Sequence, residues 1–307
     1  MASIGQTQNE VRVGAVIGGA FALLVRRPFS VLAWGLYTLV FAVLPISFIL
    51  LVLLPGMENT ARAAVIAGQS ILQPAVLIRL AGAYALIGLL LLVTLAVVDT
   101  AVFRAVLEPD NRGLFYLRLR RRELSLLRVH LVQALSWAGL LIVAAVPLAW
   151  LMGAATNAFG RSWAVLIGVA AVLVAACIIG LIGLRLSLAG PDAFAIGRQS
   201  LLKSWRMTRD RLGPILVTAV VMSAVLWLGA YLVQAAVQLS PFGAAAALIR
   251  DPRSSDPERL AIIAATMVVY LGVARVLIAA PAALIYRQLA PAPDPEVETA
   301  PHRGALL

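Results

Sequence analysis

The chain of 307 residues is predicted to be all-α. It reads as a polytopic membrane protein with six transmembrane helices, arranged as three pseudo-repeated hairpins, each preceded by a cytoplasmic amphipathic helix. Three observations carry that prediction. Apolar residues make up 62% of the chain and charged ones 13%, where soluble domains average roughly 45–50% and 25%; the mean hydropathy is +0.96. Six apolar runs, at about 29–54, 78–106, 130–152, 163–188, 213–239 and 260–281, are each long enough to cross about 30 Å of hydrocarbon. Finally, three of these runs end with the same punctuation. LAVVDTAVFRAV (95–106), LIGLRLSLAGPD (181–192) and LGVARVLIAAPA (271–282) put Asp99, Arg185 and Arg275 at one aligned position. The last two also share Arg-x-x-x-Ala-x-Pro, ending at Pro191 and Pro281, and spacings of 86 and 90 residues describe one unit used three times.

Each element follows in order. Residues 1–10 form an N-terminal tail without Arg or Lys, and the apolar stretch 13–25 ends in Arg26-Arg27-Pro28 rather than in small residues, so no cleavable signal is expected. The membrane domain covers 11–288, with repeats at about 11–106, 112–190 and 192–288. Its first segment, 11–27, is the least polar, and Gly14 and Gly18, four apart, favour packing against a span. In the second, 112–128, Leu114, Leu117, Leu124, Leu127 and Leu131 fall on one stripe with Arg118, Arg121 and Arg122 off it. The third, 192–211, repeats that design with Phe194, Leu201, Trp205 and Leu212. Such helices lie in the interface plane with Arg toward phosphates. Outer loops are expected at 55–77, 153–162 and 240–259, with short helices at 60–69 and 243–249, and the Pro-rich acidic tail 289–307 is expected to be disordered. Pro191 and Pro281 end or kink their spans, and Asp192 favours the helix that follows. Trp34, Trp137, Trp150 and Trp163, near span ends, fit interfacial belts.

Charge sets orientation and partners. The net charge of +11 arises from 24 Arg and one Lys. With the N-terminus in the cytoplasm, 18 of these cations fall inside, six outside and Arg275 within a span. That ratio predicts both termini in the cytoplasm. The expected partner is anionic lipid, with a membrane protein as a further possibility; nucleic acid and cofactors are not expected. The expected headgroup contacts are Arg118, Arg120, Arg121, Arg122, Arg198, Lys203 and Arg206. Oligomeric state is not legible. Cys177 stands alone, so no disulfide forms within the chain.

Catalytic signatures are missing from the sequence: no phosphate-binding Gly-rich loop, no His-Glu-x-x-His, no Gly-x-Ser-x-Gly. His130 opens the third span beside Arg128 and reads as an interfacial polar residue; His302 lies in the tail. The chain is therefore expected not to be an enzyme. What remains is the aligned set Asp99, Arg185 and Arg275, since an intramembrane charge is costly and needs a reason. Two readings stand. The set is a ligand site with net positive charge, suited to a phosphate or anionic headgroup, or it is an ion pair that holds helices together.

The segment 181–222 resembles the membrane domain found fused to some bacterial glycerophosphoryl diester phosphodiesterases and in stand-alone inner-membrane proteins. The matching residues are Arg185 to Pro191, Ser204-Trp205 and Thr208, with Arg26-Arg27-Pro28-Phe29 and a following Trp as a weaker echo. The resemblance implies a six-span fold over about 11–288. It implies little about activity, because the phosphodiesterase chemistry belongs to a separate soluble domain. The expected function is a non-enzymatic membrane protein of envelope or lipid homeostasis; the alternative is a small transporter or channel-like module running past Asp99, Arg185 and Arg275.

Overall fold

The computed structural model describes residues 11–49, 74–109, 114–117, 121–196, 201–239 and 257–290. Among them every regular element is helical. In chain order these are α1 (Val13–Arg26), α2 (Pro28–Thr38), α3 (Leu44–Phe48), α4 (Pro74–Leu107), α5 (Arg121–Phe159), α6 (Arg161–Leu186), α7 (Ala189–Ile196), α8 (Leu201–Thr208), α9 (Leu212–Leu239) and α10 (Pro257–Leu289). A π-turn, Leu39–Val43, joins α2 to α3 without a break. Five helical stretches are long and apolar enough to cross a membrane: Pro28–Phe48, Ala81–Leu107, Val165–Ile196, Leu212–Val233 and Ala261–Leu289. The expected span at 130–152 falls inside α5, whose described apolar stretch is Leu124–Leu140.

Local chemistry sets the helix ends. Pro28 starts α2, and the restriction it places on the residue before it holds Arg27 at φ −137°, ψ 52°, which ends α1. Between α5 and α6 the chain reverses through Gly160 alone, at φ 83°, a conformation that only glycine adopts without cost. The outer loop expected at 153–162 is thus helix on both sides of one residue, because nothing from Met152 to Phe159 breaks a helix. Pro281 does not end its span either. α10 runs through it to Leu289, as α5 runs through Pro147. At Pro191 the expectation fits, since α6 stops at Leu186 and α7 begins at Ala189.

The core is built where α2, α4 and α10 pack on one another, with α1 across their shared end. α2 and α10 come closest. A Cβ built on Gly35 would lie 1.9 Å from the Val268 carbonyl oxygen, and one on Gly272 would lie 2.2 Å from that of Val31. Only hydrogen at both positions lets the two backbones touch. On α1 the small-residue contact is made by Gly19 against Leu284, while Gly14 and Gly18 have open space around them. Their spacing of four points them away from the span.

Trp34, expected in an interfacial belt, is fully buried in this core and donates its Nε1–H to the Phe115 carbonyl at 2.9 Å. Phe115 and Tyr116 both hold positive φ, 49° and 62°, a strained pair for non-glycine residues. Their carbonyls are what hold them there: Trp34 takes one and the buried Arg104 guanidinium takes the other.

Two expected interfacial segments also change character. Residues 121–128 are the first turns of α5, continuous with the apolar stretch that follows, because no proline intervenes before Pro147. In the third segment, most of α7 is not at a surface: Ala189 to Phe194 are all buried. Phe194, placed on a lipid-facing stripe by its spacing, packs edge-on against Phe103 with ring centroids 6.3 Å apart. Residues 1–10, 118–120, 197–200 and 291–307, and most of 55–77 and 240–259, lie outside the described residues. So do the sequence expectations for them, which include Arg118, Arg120 and Arg198.

Candidate functional site

The aligned charges separate into two places. Asp99 on α4 and Arg275 on α10 face each other, with the Arg275 Nη1 4.0 Å from the Asp99 Oδ1. His130 of α5 joins them, its Nε2 3.3 Å from Oδ2. All three side chains are largely withdrawn from the surface. The contacts are close enough for Coulomb attraction yet poorly aligned for hydrogen bonds: Oδ1 of Asp99 and Nε2 of His130 are buried without a hydrogen-bond partner among the described residues. Asp99 lies eight residues before Leu107, so about 12 Å from the end of its span at 1.5 Å per residue. A carboxylate at that depth must be paired with a cation or change its charge.

Arg185 does not reach this cluster. Its guanidinium lies over the Trp205 ring, 4.6 Å from the centroid. Its carbonyl, freed at the end of α6, accepts the Ser204 hydroxyl at 2.8 Å and the Thr208 hydroxyl at 3.4 Å. The residues that carry the sequence resemblance, Arg185, Ser204, Trp205 and Thr208, therefore meet in one clasp that docks α8 on the end of α6. Helix packing explains the difference: α4 and α10 pack on each other, while α6 packs on α5, α8 and α9.

Among the expected headgroup contacts, Lys203 is half-exposed and reaches into the protein. Its ammonium pairs with Asp192, a carboxylate that α7 carries into the core. Arg206 is exposed on α8. Arg121 and Arg122 open α5, and their side chains lie outside the described residues.

Span ends from distant parts of the chain gather at one end of the bundle. The backbone N–H of Arg12 reaches Gln288 Oε1 at 2.9 Å, and Arg27 donates to the Pro109 carbonyl at 3.2 Å. Val11, Leu188, Ile215 and Ile285 pack together there, tying α1 to the end of α6, the start of α9 and the end of α10. The same end carries Arg26, Arg27 and Arg287, with Arg209 and Arg211 just before α9.

Sequence reasoning missed His130 and Arg104 as core residues. For His130 the available signal was that it shares a helical face with Leu126 and Val129. For Arg104 it was a second charge five residues after Asp99 in the same apolar span. No family model, curated protein or solved structure matches this chain.

Proposed function

We propose that the protein is a non-enzymatic, multi-pass protein of a bacterial inner membrane. In this reading it serves envelope or lipid homeostasis by holding anionic lipid, or a membrane-protein partner, at its cytoplasmic end. The observation that carries the reading is the convergence of span ends with Arg12, Arg26, Arg27, Arg209, Arg211 and Arg287 around them. Cations gathered at one end of a helical bundle mark the side retained in the cytoplasm. Each one near an anionic leaflet contributes on the order of 1 kcal/mol.

α5 is counted as the sixth span in this reading, giving hairpins α2–α4, α5–α6 and α9–α10, in keeping with the resemblance to the phosphodiesterase-fused membrane domain. α8, with Trp205 and Arg206 outward, is the interfacial helix. Asp99, Arg275 and His130 act as a polar staple between α4, α10 and α5. The test is reconstitution into vesicles of brominated phosphatidylcholine or brominated phosphatidylglycerol, reading tryptophan quenching. Stronger association with phosphatidylglycerol, weakening as salt rises, is expected; equal association with both lipids at low salt would sink the reading.

A second reading, a small transporter whose pathway passes Asp99, is favoured by one observation: the buried Oδ1 of Asp99 has no hydrogen-bond partner among the described residues. Under it, Asp99→Asn abolishes flux in proteoliposomes while the protein stays folded. Under the first reading the substitution only lowers stability.

A further inference from the structure

A cleft of about 290 Å³ opens between the ends of α1, α4 and α10. Its polar wall is made by Arg26, Arg27 and Arg287, and its floor by apolar side chains that include Leu23, Val106 and Leu284. No carboxylate lines it among the described residues, and the neighbouring Glu108 is engaged in an interaction of its own. Among the described residues, three cations without a counterion face one small concavity.

The three arginines are not equivalent. Arg27 is pre-positioned: one Nη donates to the Pro109 carbonyl at 3.2 Å, and the guanidinium lies 4.8 Å above the Tyr116 ring. Two contacts hold its plane and leave further N–H donors for a ligand. Arg26 and Arg287 are exposed and have no partner among the described residues. Each sits in the last turn of its helix, where it complements the negative end of the helix dipole. That effect accounts for each arginine singly, but it does not require that they converge on a third.

Height in the membrane decides what fits. Arg27 directly precedes the span Pro28–Phe48, Arg287 lies two residues inside the end of Ala261–Leu289, and Pro109 lies two beyond the end of Ala81–Leu107. The cleft is thus level with the boundary between hydrocarbon and water, where lipid phosphates sit. Immediately beside it Val25 and Phe29 are 80% and 75% exposed, an apolar surface continuous with the outer face of α2.

We infer that this cleft is a discrete binding site for a phosphodiester or phosphate monoester, filled in the membrane by the headgroup of one anionic glycerophospholipid. Arginine forks on the phosphate oxygens supply the recognition. The glycerol rests on the apolar floor, and the acyl chains lie outside along Val25 and Phe29, since the cleft is at the small end of ligand sites. The inference rests on the reading of the protein as an anionic-lipid binder. It adds a single saturable site to what would otherwise be diffuse adhesion.

The experiment is native mass spectrometry of the full-length protein in mild detergent, titrated with dioleoyl phosphatidylglycerol. Wild type is compared with Arg26→Gln/Arg287→Gln and with Arg206→Gln/Arg209→Gln, which removes the same charge outside the cleft. Expected is a first phosphatidylglycerol bound about tenfold or more weakly by the cleft variant and unchanged in the control. A charge-keeping variant, Arg26→Lys/Arg287→Lys, should recover part of the loss. An equal loss in both glutamine variants, or none in the cleft variant, overturns the site. If bulk preference for brominated phosphatidylglycerol persists in that case, only the site has failed; if the preference is absent as well, the lipid-binding reading has failed with it. The source of the phosphate is read by adding sn-glycerol 3-phosphate. Competition with lipid at similar concentrations would make the ligand a soluble phosphate and overturn the headgroup assignment, and no competition supports the lipid.

Discussion

Replacing Gly35 by alanine tests the centre of the fold with one methyl group. The added Cβ would lie 1.9 Å from the Val268 carbonyl oxygen and 2.9 Å from the Gly272 nitrogen, where ordinary contact begins at 3.4 Å. About 1.5 Å must therefore open between α2 and α10, and both obstacles are backbone, so no rotamer change relieves the clash. Retreat by that distance forfeits at least a quarter to a half of the dispersion energy along the contact. The contact includes Val31, Trp34 and Val276. Overpacking alone costs about 1–3 kcal/mol, so with the lost contacts roughly 2–4 kcal/mol is expected. Unfolding of the full-length protein by increasing SDS in mixed micelles, followed by tryptophan fluorescence, measures it. Gly18→Ala is the control: nothing lies within 4 Å of its Cβ, and alanine in a helix interior should be neutral or stabilising by about 0.5–1 kcal/mol. Should Gly35→Ala prove as stable as wild type, the close crossing of α2 and α10 would be wrong.

Three further outcomes follow from the described contacts. Asp99→Ala and Arg275→Met should each cost about 1–3 kcal/mol in the same assay, and the double variant clearly less than their sum, because either single change strands the other partner; strict additivity would separate the two residues. Trp34→Phe removes the donor to the Phe115 carbonyl and should cost about 1–2 kcal/mol, with faster amide exchange at 114–117; exchange equal to wild type would mean that the left-handed turn has another support. Trp205→Ala takes away the ring under Arg185, so exchange should quicken across α8 and stay slow in α6; uniform protection would deny that this stacking docks α8.

The helical membrane class was legible because span length and apolarity are local properties that no tertiary contact reverses. What failed was azimuth. Asp99, Arg185 and Arg275 do share a register position, yet register sets only depth. The partners of α6 turn Arg185 toward Trp205, while α4 and α10 turn Asp99 and Arg275 toward each other. Gly14 and Gly18 looked like a helix-packing motif within one helix, whereas the real crossing takes one glycine from each of two helices 237 residues apart, a pairing that no local pattern announces. Phe194 was misplaced, and the Asp192 partner of Lys203 missed, for a third reason. Apolar stripes with basic flanks describe an interfacial helix and a buried one equally well, and Asp192, the first residue of the segment, was the clue that a carboxylate had been carried inside to meet the lysine. Of the basic end, the arginines could be listed from the sequence, but their convergence around one cleft could not.

The contact between α2 and α10 has a consequence for how the protein is made. Trp34 and Gly35 emerge from the ribosome early, while their seat, the helix carrying Val268 and Gly272, is synthesised 237 residues later. At roughly 5–20 residues per second, α2 waits about 10–50 s in the bilayer with its tightest face uncovered. During that interval the groove around Gly35 is open to any passing span, its own or a stranger's. Completion of this contact is therefore a late event, and a nascent chain stalled before α10 keeps that groove open.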